Sequence, residues 1–94
     1  MAAIIKTEKR LDIAHAPAFE KELNRVFAEG ETEIIVDMEE TAYISSVILR
    51  ALLKAQKKVN SINGSLMLRN VSESVMEVFD VTGFSGILMF EDQA

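Results

Sequence analysis

The sequence predicts an α/β layer fold with a largely parallel central sheet, in a single domain spanning residues 1–94. Apolar stretches of strand length alternate along the chain with longer stretches in which apolar residues recur at helical spacing. Strands that are separated by helices pair most simply as parallel neighbours in one sheet. Hydrophobic residues make up 49% of the chain, which is typical of a globular domain and excludes a disordered tail.

The first third of the chain contains two short extended segments and one helix. Ala3 to Thr7 is a candidate strand, and Leu11 to Ile13 is extended again, with both apolar side chains on one face. Pro17 suits the first turn of a helix, where its missing N–H costs nothing. Gly30 is the predicted end of that helix. Its apolar stripe consists of Phe19, Leu23, Val26 and Phe27.

The middle of the chain contains a buried strand, an acidic loop and the longest helix. Thr32 to Met38 is predicted as a strand with both faces covered, because Ile34-Ile35-Val36 is a continuous apolar run. Asp37 to Thr41 forms a loop with three acids, and a helix runs from about Ser46 to Ile62. The apolar arc of this helix comprises Ile48, Ala51, Leu52, Ala55, Val59 and Ile62.

The last third repeats the alternation of strand and helix. Ser65 to Val71 is predicted as a strand, and Ser72 as the cap of a third helix. Gly83 fits the left-handed position after that helix, so that Phe84 can pack back on Phe79. A last strand, Ile87 to Phe90, precedes the acidic tail Glu91 to Ala94.

Composition excludes several classes of function. The net charge of −5 disfavours general affinity for nucleic acid or an anionic membrane, since both require a basic face. Cysteine is absent, which excludes thiolate metal sites and fits the reducing cytoplasm. The one histidine, His15, has no partner at a recognisable catalytic spacing and is interpreted as a surface or capping residue. We therefore expect no enzyme, no cofactor and no metal.

The stretch that carries functional information is Tyr43-Ile44-Ser45-Ser46, at the junction of the acidic loop and the longest helix. Serine is a favoured N-cap residue, and a structural cap is the simplest reading of the pair. A phosphate on a serine at this position would meet the free N–H groups and the positive end of the helix dipole. The junction is therefore also a candidate phosphorylation site.

Taken together, these segments resemble a STAS domain, and within that class an anti-sigma factor antagonist. The resemblance is carried by Arg10-Leu11-Asp12, the strand Ile34 to Met38, Tyr43 to Ser46 with Leu49-Arg50-Ala51-Leu52-Leu53, Gly64-Ser65-Leu66, and Val75 to Phe79 with Thr82-Gly83-Phe84. It implies a mixed, mostly parallel sheet of about four strands packed with three to four helices.

The resemblance also implies a partner-switching function. The unphosphorylated antagonist binds an anti-sigma factor that is itself a serine kinase of the histidine-kinase-like ATPase class, and a sigma factor is released. The kinase then phosphorylates the antagonist, and a serine phosphatase reverses the modification. The implied phosphoacceptor is Ser46, with Ser45 as second choice. The implied docking surface comprises Asp12, Ser45, Ser46, Val47, Ile48 and Arg50.

Two departures from the family pattern bear on this reading. Ile48 stands where the family usually has glycine, and an isoleucine there would block the close approach of a partner backbone or require a different partner surface. The first strand is short, so an exposed sheet edge could pair two chains into a homodimer. The alternatives are an adaptor subunit of a lipid- or anion-transport complex, in which Ser46 is only a cap, a nucleotide-binding module, and last a small enzyme.

Overall fold

The computed structural model describes residues 2–91, so most of the predicted acidic tail, Glu91 to Ala94, lies outside the described residues. The predicted strands and helices occur in the predicted order, and Tyr43–Ile44 forms one further short strand that was not predicted. Two short 3-10 turns, Ile13–His15 and Phe84–Gly86, join them. The elements are β1 Ala3–Lys6, β2 Arg10–Leu11, α1 Ala16–Ala28, β3 Glu33–Asp37, β4 Tyr43–Ile44, α2 Ser46–Ser61, β5 Ser65–Arg69, α3 Glu73–Thr82 and β6 Met89–Phe90.

The central sheet has four strands in the order β1-β3-β5-β6. Every pair in it is parallel, as is the separate two-stranded pair of β2 with β4. The predicted parallel sheet is confirmed, while the expected mixed character is not found among residues 2–91. Because the strands are parallel, the carboxyl ends of β1, β3 and β5 lie along one edge of the sheet.

Helix α1 follows the predicted stripe. Pro17 lies in its first turn, and Phe19, Leu23 and Val26 are buried. Gly30 has a φ of 83° just after the helix, and its N–H donates to the carbonyl of Phe27. A left-handed residue at this point ends the helix at little steric cost because glycine has no Cβ.

Helix α2 buries a broad apolar face against the sheet and α1. Ile48, Leu52 and Val59 have no exposed surface, and Leu49, Ala51 and Ala55 are almost as deeply buried. The predicted inclusion of Ile62 in this arc is wrong. Ile62 lies beyond the last helical residue and is 39% exposed, because the chain turns there toward β5.

All five predicted strand segments are shorter in the structure, and the one predicted for Ser65 to Val71 ends at Arg69. Two of these differences have a clear local cause. The extended segment predicted for Leu11 to Ile13 stops at Leu11, because the Asp12 carboxylate accepts the Ala14 N–H and starts a 3-10 turn. Ile13 is consequently 71% exposed and does not share a face with buried Leu11. The last strand likewise begins at Met89, since Ile87 closes the second 3-10 turn by donating to the carbonyl of Phe84.

Helix α3 has the predicted ends. The Ser72 hydroxyl accepts the Val75 N–H at 3.3 Å, and Gly83 adopts a φ of 82°. Phe79 is completely buried, and its ring meets that of Phe90 edge to face at 5.6 Å between centroids. Phe90 in the edge strand thus packs on Phe79, and Phe84 is half-buried against the same core.

No helix between residues 2 and 91 is both long enough and apolar enough to cross a lipid bilayer.

The turn between α2 and β5 requires glycine at position 64. A Cβ added to Gly64 would lie 2.2 Å from the backbone carbonyl oxygen of Thr32, which is itself bonded to the N–H of Ser65. We predict that Gly64→Ala lowers the free energy of unfolding by about 1–3 kcal/mol, measured by urea denaturation. Gly86→Ala is the matched control, because a Cβ there meets nothing within 4 Å, and it should change stability by less than about 0.5 kcal/mol. Equal effects of the two substitutions would contradict the close approach.

Candidate functional site

The loop from β3 to α2 is anchored at its start by Asp37. Its carboxylate oxygen Oδ1 accepts the Glu39 N–H and the Asn70 side-chain amide, both at 3.1 Å. Asp37 is therefore buried at the end of the strand, and only Glu39 and Glu40 of the three predicted loop acids are exposed. Met38 follows with no exposed surface, and its N–H donates to the carbonyl of Arg69.

The same loop is fixed at its centre by Thr41, whose side chain is 1% exposed. The Thr41 hydroxyl donates to the carbonyl of Glu8 at 2.7 Å and lies 2.5 Å from the hydroxyl of Thr7. Its own carbonyl accepts the Ser72 hydroxyl from the start of α3. The burial of Thr41 could not be predicted, because a lone threonine in a polar loop carries no local signal of burial.

The pairing of β2 with β4 brings two distant segments together. The N–H of Ser45 donates to the carbonyl of Leu11 at 2.9 Å, and the Arg10 guanidinium stacks 4.5 Å from the centroid of the Tyr43 ring. The segment that contains Asp12 therefore runs directly beside the segment that leads into α2. The structure thus places the two parts of the predicted docking surface next to each other.

The two serines at the junction differ sharply in environment. Ser45 occupies the N-cap position of α2, but its side chain makes no capping hydrogen bond. Its Oγ is buried and has no hydrogen-bond partner within residues 2–91. Ser46 is the first residue of α2 and is exposed to solvent. The accessible hydroxyl at the start of the helix is therefore that of Ser46.

The three remaining predicted residues of α2 point in different directions. Arg50 is exposed one helical turn after Ser46, and Val47 is half-buried against the core. Ile48 is completely buried, so its side chain does not lie on the surface as predicted. The expectation that Ile48 blocks a partner backbone is likewise wrong, because the side chain packs inward with the apolar arc of the helix.

Asp12 lies in a small charged cluster at the rim of this surface. Its carboxylate lies 2.7 Å from His15 Nδ1 and 3.7 Å from Arg10 Nε. The hydrogen bond from His15 holds the pKa of Asp12 below its ordinary value, although partial desolvation opposes the shift. The other ring nitrogen of His15 lies 2.9 Å from a carboxylate oxygen of Glu8.

His15 therefore has two acidic partners that the sequence analysis missed. The contact of His15 with Asp12 could have been predicted, since the two residues are only three apart in the chain. The contact with Glu8 could not, because it depends on the turn between β1 and β2. Across residues 2–91, no group of three or more histidine, aspartate or glutamate side chains could hold a metal ion.

Comparisons with known proteins identify one family and relatives with the same kind of name. The STAS domain family model matches residues 2–93. A Bordetella bronchiseptica protein named anti-sigma factor antagonist BtrV is 35% identical over 74 residues, which are 79% of this chain and 64% of that protein. The anti-sigma-B factor antagonist of Bacillus subtilis is 28% identical over 83% of this chain and 71% of its own length.

A solved structure agrees with the fold. The crystal structure of a Thermotoga maritima protein described as an anti-sigma factor antagonist matches with a TM-score of 0.89 and 24% identity, and it covers 98% of this chain and 80% of that one. At this identity the similarity establishes the shared fold alone. The chain spans slightly less than two thirds of the Bordetella protein.

Removal of the Thr41 hydroxyl should loosen the loop. We predict that Thr41→Val lowers the free energy of unfolding by about 1–3 kcal/mol, because the Glu8 carbonyl loses its donor and the buried Thr7 hydroxyl loses one of its two partners. Hydrogen exchange of amides 38–46 should also become faster. Thr82→Val is the control, because its hydroxyl donates within its own helix at an exposed position, and a change below about 0.5 kcal/mol is expected. Unchanged exchange in Thr41→Val would refute the anchoring role.

Truncation of the Ile48 side chain should lower the stability of the fold. We predict that Ile48→Ala costs about 2–5 kcal/mol, the range for buried large-to-small substitutions, measured by chemical denaturation. Val81→Ala is the control, because Val81 is 78% exposed, and it should stay within about 0.5 kcal/mol of the parent chain. If Ile48→Ala were as stable as the parent chain, Ile48 could not be part of the core.

Proposed function

Because the chain belongs to the STAS domain family, we propose that it is an anti-sigma factor antagonist, a cytoplasmic regulatory protein and not an enzyme. It binds an anti-sigma factor and thereby frees a sigma factor for transcription. Two relatives support this assignment by their names, the Bordetella protein at 35% identity and the Bacillus protein at 28%. The fold by itself does not decide between such a regulator and a transport adaptor.

Ser46 is the proposed phosphoacceptor, and its position is the observation that carries the mechanism. A kinase must reach the hydroxyl, and Ser46 is exposed at the first position of α2 while the Oγ of Ser45 is buried. The first turn of a helix offers free N–H groups and a favourable dipole to a phosphate. The chain can thus carry the modification without loss of its fold.

The proposed docking surface surrounds this residue. Asp12, Val47 and Arg50 reach the surface on the two sides of Ser46, and Ile48 supports it from beneath. A phosphate adds about −1.5 to −2 charges at neutral pH. A partner that docks over Ser46 would then have to bury that charge, which costs binding energy through desolvation and repulsion.

Three partners follow from this proposal. One is the anti-sigma factor, which is also the serine kinase, and another is a serine phosphatase that removes the phosphate. A third is a second copy of the chain, paired through β1. That strand lies at an edge of the sheet, and its Ile4 is 52% exposed, which supports edge-to-edge pairing.

The acceptor assignment is tested by incubating the chain with the candidate kinase and ATP. We predict a single added phosphate, found by intact mass and mapped to Ser46. Ser46→Ala should abolish it, whereas Ser45→Ala should retain it because the Oγ of Ser45 is buried. Phosphate on Ser46→Ala would contradict the assignment. Absence of any phosphate, together with intact partner binding, would instead favour an adaptor in which Ser46 has only a structural role at the start of the helix.

The switch itself is tested with Ser46→Asp, which places a permanent negative charge at the start of α2. We expect the affinity for the anti-sigma factor to fall about tenfold or more, equivalent to about 1.4 kcal/mol, by isothermal titration. Circular dichroism should show an unchanged fold, and Ser46→Asn is the uncharged control. Equal affinity of the Asp and Asn variants would remove the electrostatic basis of the switch.

A further inference from the structure

The arginines of this chain divide into three that are paired and one that is not. Arg10 lies 3.7 Å from the Asp12 carboxylate, and Arg69 lies 3.0 Å from that of Glu91. Arg25 is held between Glu22 and Glu29, which raises the pKa of its guanidinium above its ordinary value. Arg50 is exposed and has no carboxylate partner within residues 2–91.

Helix α2 is basic in a chain that is acidic overall. Ser46–Ser61 contains no aspartate or glutamate, although the whole chain carries a net charge of −5. All its cations are exposed: Arg50, Lys54, Lys57 and Lys58. No ion pair involves them in the described part of the chain. An anionic group attached to α2 would therefore meet cations with no competing intrahelical acid.

Arg50 is the cation within reach of Ser46. Residues four apart on a helix lie on the same face, with about 5–6 Å between their Cβ atoms. Long helical side chains also tend to lean toward the N-terminus, so Arg50 can reach back toward the first turn, where Ser46 begins the helix. The guanidinium fork matches two oxygens of a phosphate, which a lysine ammonium cannot do.

We propose that Arg50 captures the phosphate of phosphorylated Ser46 within the same chain. The proposal rests on the proposed phosphorylation of Ser46. In the unmodified chain the guanidinium is exposed on the docking surface and available to an acidic group of the partner. In the phosphorylated chain it is occupied by the phosphate, so that one modification adds an anion to the surface and withdraws a cation from it.

The test uses the 94-residue chain with phosphoserine installed at position 46 during translation, so that neither kinase nor partner is needed. The second pKa of the phosphate, ordinarily about 6, is measured by phosphorus NMR titration. Arg50→Gln should raise it by about 0.2–0.7 pH units, the shift expected when an exposed ion pair to the dianion is lost. Lys57→Gln is the matched control, because Lys57 lies about 16 Å from Ser46 along the helix axis. This substitution should leave the titration of the phosphate unchanged.

An Arg50→Gln chain that titrates like the parent phosphoprotein would overturn the proposal. An equal rise in Arg50→Gln and Lys57→Gln would also overturn it, since this would show a general field of the helix in place of a specific contact. Because the phosphate is installed directly, either result leaves phosphorylation by a kinase untouched. Failure of the kinase assay would conversely leave the measured contact intact.

Discussion

Buried Thr41 connects the loop before α2 to the segment after β1 and to the start of α3. Its hydroxyl donates to the carbonyl of Glu8 after β1 and lies 2.5 Å from the hydroxyl of Thr7, while its carbonyl accepts from Ser72 at the start of α3. Buried hydrogen bonds of this kind are costly to lose because their partners cannot return to water. The position of the loop, and with it the start of α2, therefore depends on them.

Helix α2 carries a buried apolar face and an exposed basic face, which includes part of the proposed docking surface. Its inner side supplies residues with no exposed surface, and its outer side carries every cation of the helix. Ile48 and Arg50 show the division, since they are two residues apart and one is in the core while the other is in solvent. A surface carried by a well-buried helix holds its side chains in fixed relative positions, which a docking site requires.

Several features could be predicted because their signals are local. The strand and helix alternation, the proline in the first turn of α1, the Ser72 cap and the left-handed glycines at 30 and 83 all follow from short-range sterics and hydrogen bonds. Resemblance to the family then indicated Ser46, Asp12 and Arg50 as site residues. The structure places all three on the surface around the start of α2, with Ile48 beneath it.

Local patterns in the chain predicted the order of the main strands and helices and their parallel pairing, and they leave α2 without acids. Contacts between distant segments determine which side chains are buried and which lie together, and they form β4, which no local pattern predicted. Ile13 is exposed, the Oγ of Ser45 is buried without a capping bond, and His15 lies between Glu8 and Asp12. The physical reason is that periodicity and capping act over a few residues. Burial and polar pairing instead depend on contacts between segments that are distant in the chain, such as β2 with β4.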